Sequence, residues 1–351
     1  MEFTGGGRLE IRVTSADVGK RVSVRYVTDS GEAGGTFTDA VGVLTSWDDG
    51  VLLIARRSGE TVRIAESSLV AGKVVPAAPA RRRGPSATFP ELARATARAW
   101  RPVESEALGE WTLRASFQEV PPEGRPGGAG AGRRVGFTRR ANSVLPLGDP
   151  GLPVAGALAY VREWYADRKL PAYVQTATGA EGTQELLCAE LDRLGWRREV
   201  SAEVRIAALA PIGDLDADVS AVRLSRTVDE AWLRRYRCFG EPGPAVREVL
   251  ASGPSVWFAS VAGTDGTAAA IGRCVVDGRW AGFLAVEVDP DLRRRGLATS
   301  VMTALARRAL DEGASAAWLQ VEADNDGARA LYDGMGFAPH HHYHHYRWAE
   351  A

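Results

Sequence analysis

The sequence predicts an α/β protein that carries an all-β barrel at its N-terminus. Residues 1–75 contain short, turn-bounded strand patterns, and residues 76–90 are rich in Ala, Pro and Arg. The remaining chain alternates helical and strand patterns twice. We therefore divide the 351 residues into a barrel at 1–75, a linker at 76–90 and two successive α/β regions at 91–210 and 218–351.

The N-terminal strands are expected at residues 21–27, 40–46, 51–57 and 61–65, with a closing strand at 73–75. Asp49-Gly50 and Ser58-Gly59 mark hairpin turns, where glycine readily adopts a positive φ. The linker contains Arg81-Arg82-Arg83, and a solvated linker is a commoner explanation for such a run than a nucleic-acid contact.

The second region predicts helices at 91–100, 155–168 and 185–194, and strands at 111–117, 172–176 and 199–207. Between Gln118 and Arg134 lies a Gly/Pro-rich stretch, which we interpret as a mobile loop between two strands. The third region predicts strands at 222–225, 256–261, 269–276, 280–288, 316–322 and about 342–348, and helices at 229–239, 245–251, 295–310 and 327–335. Two layers of similar size suggest an ancient duplication.

Charge and composition narrow the possible partners. Lys and Arg number 43 and Asp and Glu number 44, so the chain has no overall positive field to attract nucleic acid or an anionic membrane. Its three cysteines are far apart and form no CxxC, which argues against a disulfide scaffold or a cysteine zinc site. No signal-peptide pattern and no apolar run of about 18 to 20 residues occurs. We therefore expect a cytoplasmic protein without a membrane partner.

One stretch has the order of strand, turn and helix that suits a phosphate group. The apolar strand ending near Val288 is followed by a turn and by Gly296 at the start of a helix. The unpaired N–H groups and positive dipole of a helix N-terminus can hold a pyrophosphate. Gly296 and Ala298 suit this role because larger side chains would keep the phosphates from the backbone.

This stretch resembles the acetyl-CoA signature of the GNAT superfamily of N-acetyltransferases, Gln/Arg-x-x-Gly-x-Gly/Ala, at Arg293-x-x-Gly296-x-Ala298. The resemblance continues in order and spacing through residues 319–325 and then Ala328, Ala330, Leu331, Tyr332, Gly336 and Phe337, and it covers about 222–348. It implies an acetyl-CoA-dependent enzyme that moves an acetyl group to a primary amine of a small molecule or protein. The amine would attack the thioester directly.

The resemblance also implies roles for individual residues. Tyr332 matches the tyrosine that protonates the departing thiolate, and Asn325 matches an asparagine that positions acetyl-CoA or the acceptor. Glu287 and Glu322 are candidates for the general base, with Glu287 favoured and a water-mediated route left open. The residues implied to bind acetyl-CoA are Val286, Val288, Arg293, Arg294, Arg295, Gly296, Leu297, Ala298, Thr299 and Asn325.

The other two regions resemble known modules more loosely. The second region is similar to a GNAT fold that lacks the signature, so we expect a degenerate, non-catalytic half that shapes the acceptor cleft. Residues 138–143 either contribute polar groups to that cleft or are a plain strand end. The N-terminal barrel resembles the SH3-like modules found ahead of some acetyltransferases. It is expected either to bind a protein partner or to pack on the rest of the chain.

All five histidines fall within residues 340–345, which leaves none for a Ser-His-Asp, Cys-His or HExxH site elsewhere. The run is compatible with a metal site, but a wall of the acceptor site or an exposed strand is the preferred interpretation, and no metal is assigned. The alternative to an enzyme is a catalytically inactive acyl-CoA-binding regulator or protein-interaction module.

Overall fold

The computed structural model describes residues 10–28, 36–76, 84–120, 133–236, 243–263 and 266–349. The N-terminal part is a five-stranded antiparallel sheet with the order β4-β3-β2-β1-β5. Its strands are β1 (Arg21–Thr28), β2 (Thr36–Asp48), β3 (Val51–Ala55), β4 (Thr61–Ala65) and β5 (Leu69–Val74). All five predicted strands are present, and β4 and β5 are the edge strands of this sheet in the described part of the chain.

Local sequence explains this sheet. Asp49 and Gly50 both have positive φ, 49° and 70°, which is the twist that a tight two-residue hairpin requires. Alternating residues of the strands form its core, among them Val22, Leu44 and Ile54. The predicted linker at 76–90 overlaps the start of helix α1, which begins at Phe89 with Thr88 as its N-cap. Residues 77–83 lie outside the described part.

The rest of the chain forms one eight-stranded sheet, two small hairpins and the helices around them. The first α/β region contributes α1 (Phe89–Arg98), β6 (Glu104–Leu108), β7 (Trp111–Ala115), β8 (Phe117–Val120), β9 (Arg133–Gly136), α2 (Val154–Asp167), β10 (Tyr173–Thr178), α3 (Glu185–Arg193), β11 (Trp196–Ala208) and α4 (Ala210–Gly213). The second contributes β12 (Val222–Ser225), α5 (Glu230–Arg235), α6 (Pro244–Ala251), β13 (Ser255–Val261), β14 (Ala270–Asp277), β15 (Trp280–Val288), α7 (Leu297–Asp311), β16 (Ala316–Glu322), α8 (Asp326–Gly334) and β17 (Ala338–Trp348).

The strand order of the large sheet is β10-β17-β11-β16-β15-β14-β13-β12. Every neighbouring pair is antiparallel except β15 and β16, which are parallel. The last strand, β17, lies between β10 and β11, so the two α/β regions share one sheet. The α/β class with an N-terminal all-β domain is confirmed, and the domain boundaries stay a prediction.

Two predicted elements differ from the structure at their ends. The stretch interpreted as a loop between Gln118 and Arg134 begins and ends inside β8 and β9, which pair with each other, and residues 121–132 lie outside the described part. The helix predicted at 229–239 is α5, which ends at Arg235, and residues 237–242 also lie outside it.

Helices cover both faces of the large sheet. The face covered by α1, α5 and α6, here called the α1 face, buries Leu92, Trp232 and Val249. The opposite face, covered by α7 and α8 and here called the α7 face, buries Val301 and Leu305. The helices on both faces exclude water from the middle of the sheet. A site between two strands at that place would therefore be enclosed.

Two further observations concern composition. Cys188 and Cys274 are buried free thiols, and Cys238 lies outside the described residues. Within the described part of the chain, no helix has the length and apolar character that crossing a lipid bilayer requires.

Candidate active site

The two parallel strands of the large sheet separate in the middle of the molecule. β15 and β16 pair only from Trp280 to Phe283 and from Ala316 to Leu319, although they continue to Val288 and Glu322. In β15 a β-bulge follows this pairing: Leu284 and Glu287 lie opposite Arg273 and Ile271, and Ala285 has a φ of 48°. Residues 284–288 therefore leave β16. We call the opening between residues 284–288 and 320–322 the wedge.

The N-terminus of α7 follows β15 directly. Gly296 is its N-cap with a φ of 78°, and a Cβ atom added there would meet nothing within 4 Å. The first hydrogen bond of the helix runs from Ser300 N to Gly296 O at 3.0 Å. The N–H groups of residues 296–299 consequently have no partner within the helix and, with the helix dipole, can bind an anion.

The predicted anion-binding residues are grouped at this end of the helix. Arg293, Arg294, Arg295 and Gly296 are exposed, while Leu297, Ala298 and Thr299 are half-buried. Arg294 has a φ of 63°, a conformation that costs a non-glycine residue on the order of 1–3 kcal/mol and that occurs most often at functional sites. Val286 and Val288 pack towards the α7 face, which leaves the backbone of β15 at the wedge.

Tyr332 lies on the α7 face beside the point of separation. Its ring makes an edge contact with Phe337 at 5.9 Å, and Phe337 in turn contacts Phe283, the last residue of β15 that pairs with β16. The side chain is 9% exposed, and burial raises the pKa of its phenol to about 12. Tyr332 is therefore protonated at neutral pH, the state that a general acid requires.

Both candidate bases belong to the opposite side of the sheet. Glu287 pairs with Ile271, and Glu322 pairs with Ala202, and both partners are buried on the α1 face. Directly paired residues direct their side chains to the same face, so the two carboxylates lie on the α1 face of the wedge, one on each strand. The structure thus brings the three predicted catalytic residues to one opening, with the acid and the candidate bases on opposite faces.

Asn325 and Gln320 have different surroundings. Asn325 is exposed, and its Oδ1 accepts a hydrogen bond from Ala328 N at 3.1 Å, which makes it the N-cap of α8. Its predicted contact with acetyl-CoA or the acceptor stays a prediction. Gln320 lies on β16, and its buried Oε1 has no hydrogen-bond partner among the described residues.

Two further residues lie on this face: Arg140 of the first half, which sequence reasoning named only within a segment, and Tyr343 of the second half, which it missed. Arg140 donates from Nη2 to the hydroxyl of Tyr343 at 2.8 Å, and Tyr343 pairs with Ala202 beside Glu322. Arg140 belongs to the segment 138–143 that the sequence analysis singled out for polar groups. Its partner Tyr343 stands inside the histidine run, where no local pattern marks it.

The histidine run is β17, and the interpretation as an exposed strand is wrong for most of it. His341, His344 and His345 are buried because β17 lies between two other strands of the sheet. Burial lowers the pKa of each of these imidazoles. Among the described residues, no three His, Cys, Asp or Glu side chains are grouped so as to hold a metal ion.

Comparisons with known proteins identify the family of this chain. A family model described as "Probable histone acetyltransferase Rv0428c C-terminal" matches residues 131–346, and one described as "Rv0428c N-terminal Sm-like domain" matches residues 16–73. The chain is 27% identical over 329 residues to the probable histone acetyltransferase Rv0428c of Mycobacterium tuberculosis, covering 93% of each protein. The Sm-like match covers the region predicted to be an SH3-like barrel.

Two solved structures are also similar. A GCN5-related N-acetyltransferase from Kribbella flavida has a TM-score of 0.49 and 17% identity, covering 74% of this chain and 95% of its own. A tandem GNAT protein from the clavulanic acid biosynthesis pathway has a TM-score of 0.47 and 15% identity, covering 76% and 91%. Because the C-terminal family model matches more than half of the chain, the protein belongs to the family of the Rv0428c C-terminal domain and is an N-acetyltransferase.

Proposed function

We propose that the protein transfers an acetyl group from acetyl-CoA to a primary amine by direct attack of the amine on the thioester. The observation that carries this proposal is the wedge. It is an opening between two neighbouring strands of the large sheet, and a short 3-10 turn, Pro290–Leu292, joins it to a helix N-terminus whose first N–H groups have no partner within the helix. A long thioester with an anionic end fits such an opening.

The chain offers separate groups for the two ends of acetyl-CoA. Backbone N–H groups at residues 296–299, with the exposed guanidinium groups of Arg293, Arg294 and Arg295, suit the pyrophosphate. The edge of β15 that has left β16, around Val286 and Val288, has no strand partner on that side among the described residues and suits the pantetheine amides. Holding the thioester there leaves the amine one direction of approach.

The two faces of the wedge suit the two proton transfers. On the α1 face, Glu287 or Glu322 takes the proton that the amine loses as its nitrogen bonds to the thioester carbon, and Glu287 is our first choice. A water molecule between amine and carboxylate serves equally. On the α7 face, Tyr332 gives its proton to the sulfur as the carbon–sulfur bond breaks. The products are the acetylated amine and free CoA.

The test is the rate of acetyl transfer by a Tyr332→Phe variant over a panel of primary amines. Loss of a general acid lowers kcat by roughly 10²- to 10⁴-fold, while the Kd for acetyl-CoA stays unchanged because the phenyl ring is kept. Tyr160→Phe is the matched control, since Tyr160 is an exposed residue of α2 whose hydroxyl bonds Glu106.

An unchanged kcat in Tyr332→Phe would remove Tyr332 from the mechanism. A wild-type protein that binds acetyl-CoA and acetylates no amine in the panel would contradict the proposal as a whole. The inactive acyl-CoA-binding regulator would then be the better description.

A further inference from the structure

The α1 face holds two guanidinium groups that are shielded from water and have no carboxylate partner. Arg273, on β14, is 0% exposed, and its Nη2 donates to Ser252 O at 2.5 Å. Its Nε and Nη1 are buried and have no hydrogen-bond partner. Arg140 bonds Tyr343, but its Nε is also buried without a partner. Neither arginine forms an ion pair within the described residues, although buried charges are almost always paired.

Both groups converge on one indole. The guanidinium carbon of Arg273 lies 5.0 Å from the ring centroid of Trp100, and that of Arg140 lies 5.8 Å from it. Trp100 is 3% exposed, and its Nε1 has no partner among the described residues. We call Trp100, Arg140 and Arg273 the Trp100 cluster. Four of its buried nitrogen atoms have no hydrogen-bond partner among the described residues.

A buried arginine of the first half shows that a guanidinium group inside this protein can have several hydrogen-bond acceptors. Arg114 is also buried, but it donates to Ser143 O at 2.8 Å, to Ser143 Oγ at 2.8 Å and to Gln175 Oε1 at 3.0 Å. Burial lowers the pKa of Arg114 and of Arg273 to about 10, so both remain charged at neutral pH. Arg114 thus makes three hydrogen bonds, whereas Arg140 and Arg273 each make one and keep buried nitrogen atoms without a partner among the described residues.

The cluster lies beside the wedge. Arg273 pairs with Leu284, the first residue of β15 beyond its contact with β16. Arg140 interacts electrostatically with Glu322 and with the phenol of Tyr236. The phenol of Tyr236 also interacts electrostatically with Arg273. Arg140 is half-buried as a residue, whereas Trp100 is 3% and Arg273 0% exposed, so Arg140 is the member of the cluster nearest to solvent. Planar guanidinium groups with free N–H donors are the usual means of binding a carboxylate.

We infer that the Trp100 cluster binds a carboxylate of the acceptor, so the substrate is an amine that also carries a carboxylate group. This inference rests on the proposed function. The acceptor carboxylate would accept hydrogen bonds from Arg140, Arg273 and Trp100, while its amine reaches the thioester near Glu287 and Glu322. The two halves of the chain then build the acceptor site together, because Trp100 and Arg140 come from the first and Arg273 from the second.

The first experiment compares free amino acids and dipeptides with their own C-terminal amides as acceptors for the full-length protein. Each pair differs only in the carboxylate. For the preferred acceptor we expect kcat/KM to favour the acid by about 10- to 100-fold, the effect of hydrogen bonds to a charged group. Arg140→Gln should raise KM for the acid by a similar factor and leave KM for the amide unchanged. Arg193→Gln, an exposed arginine of α3 paired with Glu190, should change neither.

The second experiment separates a binding role from a structural one. Arg273→Met removes a buried charge that has no ion-pair partner among the described residues, so the variant should unfold at the same or a higher temperature while losing the preference for the acid. Arg114→Met removes a buried guanidinium that makes three hydrogen bonds and should lower the unfolding temperature. An Arg273→Met protein that fails to fold would overturn the inference, since the arginine would then be supporting the core.

Direct titration of the same acids and amides without acetyl-CoA measures binding apart from turnover. Equal binding of every acid and its amide overturns the inference, and so does preferential binding of O-phosphoethanolamine over all of the carboxylates. A chain that binds no acetyl-CoA would instead remove the proposed function. A chain that acetylates acids and amides equally would remove this inference alone.

Discussion

The ring of His344 is hydrogen-bonded at both nitrogens. Its Nε2 lies 2.9 Å from Thr178 Oγ1, and its Nδ1 lies 2.8 Å from Ser201 Oγ. Burial lowers the pKa of His344 to about 3, with the charge of Arg198 as a smaller cause. The imidazole is therefore neutral in the folded protein at every pH at which the protein is expected to work.

This residue predicts a loss of stability in weak acid. The unfolded chain binds a proton at His344 below a pH of about 6.5, and the folded chain does not until about 3. Between these values the unfolded state holds more protons, so the free energy of unfolding falls as the pH falls, by up to about 1.4 kcal/mol per pH unit. Urea unfolding between pH 7.5 and 5 measures this slope.

His344→Gln keeps one hydrogen bond and removes the proton-binding site, so its slope should be shallower than that of the wild type. The other described histidines have lowered pKa values as well and contribute in the same direction. Identical slopes for variant and wild type would show that His344 is not buried as described.

Some residues of the proposed site can be recognised from the sequence alone, and others cannot. Gly296 and Tyr332 can be recognised because each belongs to a local motif, Gly296 to the signature at 293–298 and Tyr332 to the pattern on α8. Trp100 follows the end of α1, Arg140 lies in a short 3-10 turn and Arg273 lies in β14, and nothing local relates them. Their importance appears only when folding leaves their N–H donors without partners.

At the scale of elements, Gly282 determines how closely β15 can approach β16. It pairs directly with Trp318, and a Cβ atom added to it would lie 2.3 Å from Cζ2 of that indole. This close packing comes one residue before Phe283, where the paired part of the two strands ends. A glycine opposite a tryptophan thus fixes the closed end of the wedge.

We therefore expect Gly282→Ala to destabilise the protein. The added methyl group overlaps the indole, and overpacking of this kind costs about 1–3 kcal/mol of unfolding free energy. Gly156→Ala is the matched control, because Gly156 lies in α2 with nothing within 4 Å of the added Cβ. That variant should be neutral or more stable by up to about 1 kcal/mol. Urea denaturation of both variants measures these changes in the free energy of unfolding. Equal stability of the two variants would contradict the packing described.

The elements themselves follow from sequence more readily than their arrangement. Helices α2, α3 and α7 lie within a residue or two of their predicted ranges, because amphipathic periodicity is local. The place of β17 between β10 and β11 is not readable from the run of histidines, since pairing partners more than a hundred residues away decide it. Because of that pairing, most of β17 is buried, although an exposed strand was one of the expectations.

At the scale of the whole molecule, the N-terminal sheet is attached to the large sheet through one turn. Arg57 donates from Nη2 to the carbonyl oxygens of Pro339 and His340, both at 2.9 Å, and its own carbonyl accepts from Thr178 Oγ1 at 2.9 Å. Gly59 O accepts from Arg198 Nη2 at 2.8 Å. These contacts lie at β10, β11 and β17, next to His344.

The sequence analysis left open whether the N-terminal barrel binds a partner or packs on the rest of the chain. The contacts of Arg57 show packing, and binding of a protein partner stays a prediction. Tandem halves could be predicted from two rounds of alternation, but their fusion into one sheet could not, because strand pairing between halves leaves no periodic trace in either.

The most direct test of the central claim is isothermal titration of the full chain with acetyl-CoA. Gly296→Glu places a carboxylate where the pyrophosphate is expected, whereas Gly313→Glu places the same group beyond the other end of α7, at a glycine of similar positive φ, 88° against 78°. We predict micromolar binding to the wild type and to Gly313→Glu, and none to Gly296→Glu. Binding that survives in Gly296→Glu, or is absent from the wild type, would contradict an acetyl-CoA site at the wedge.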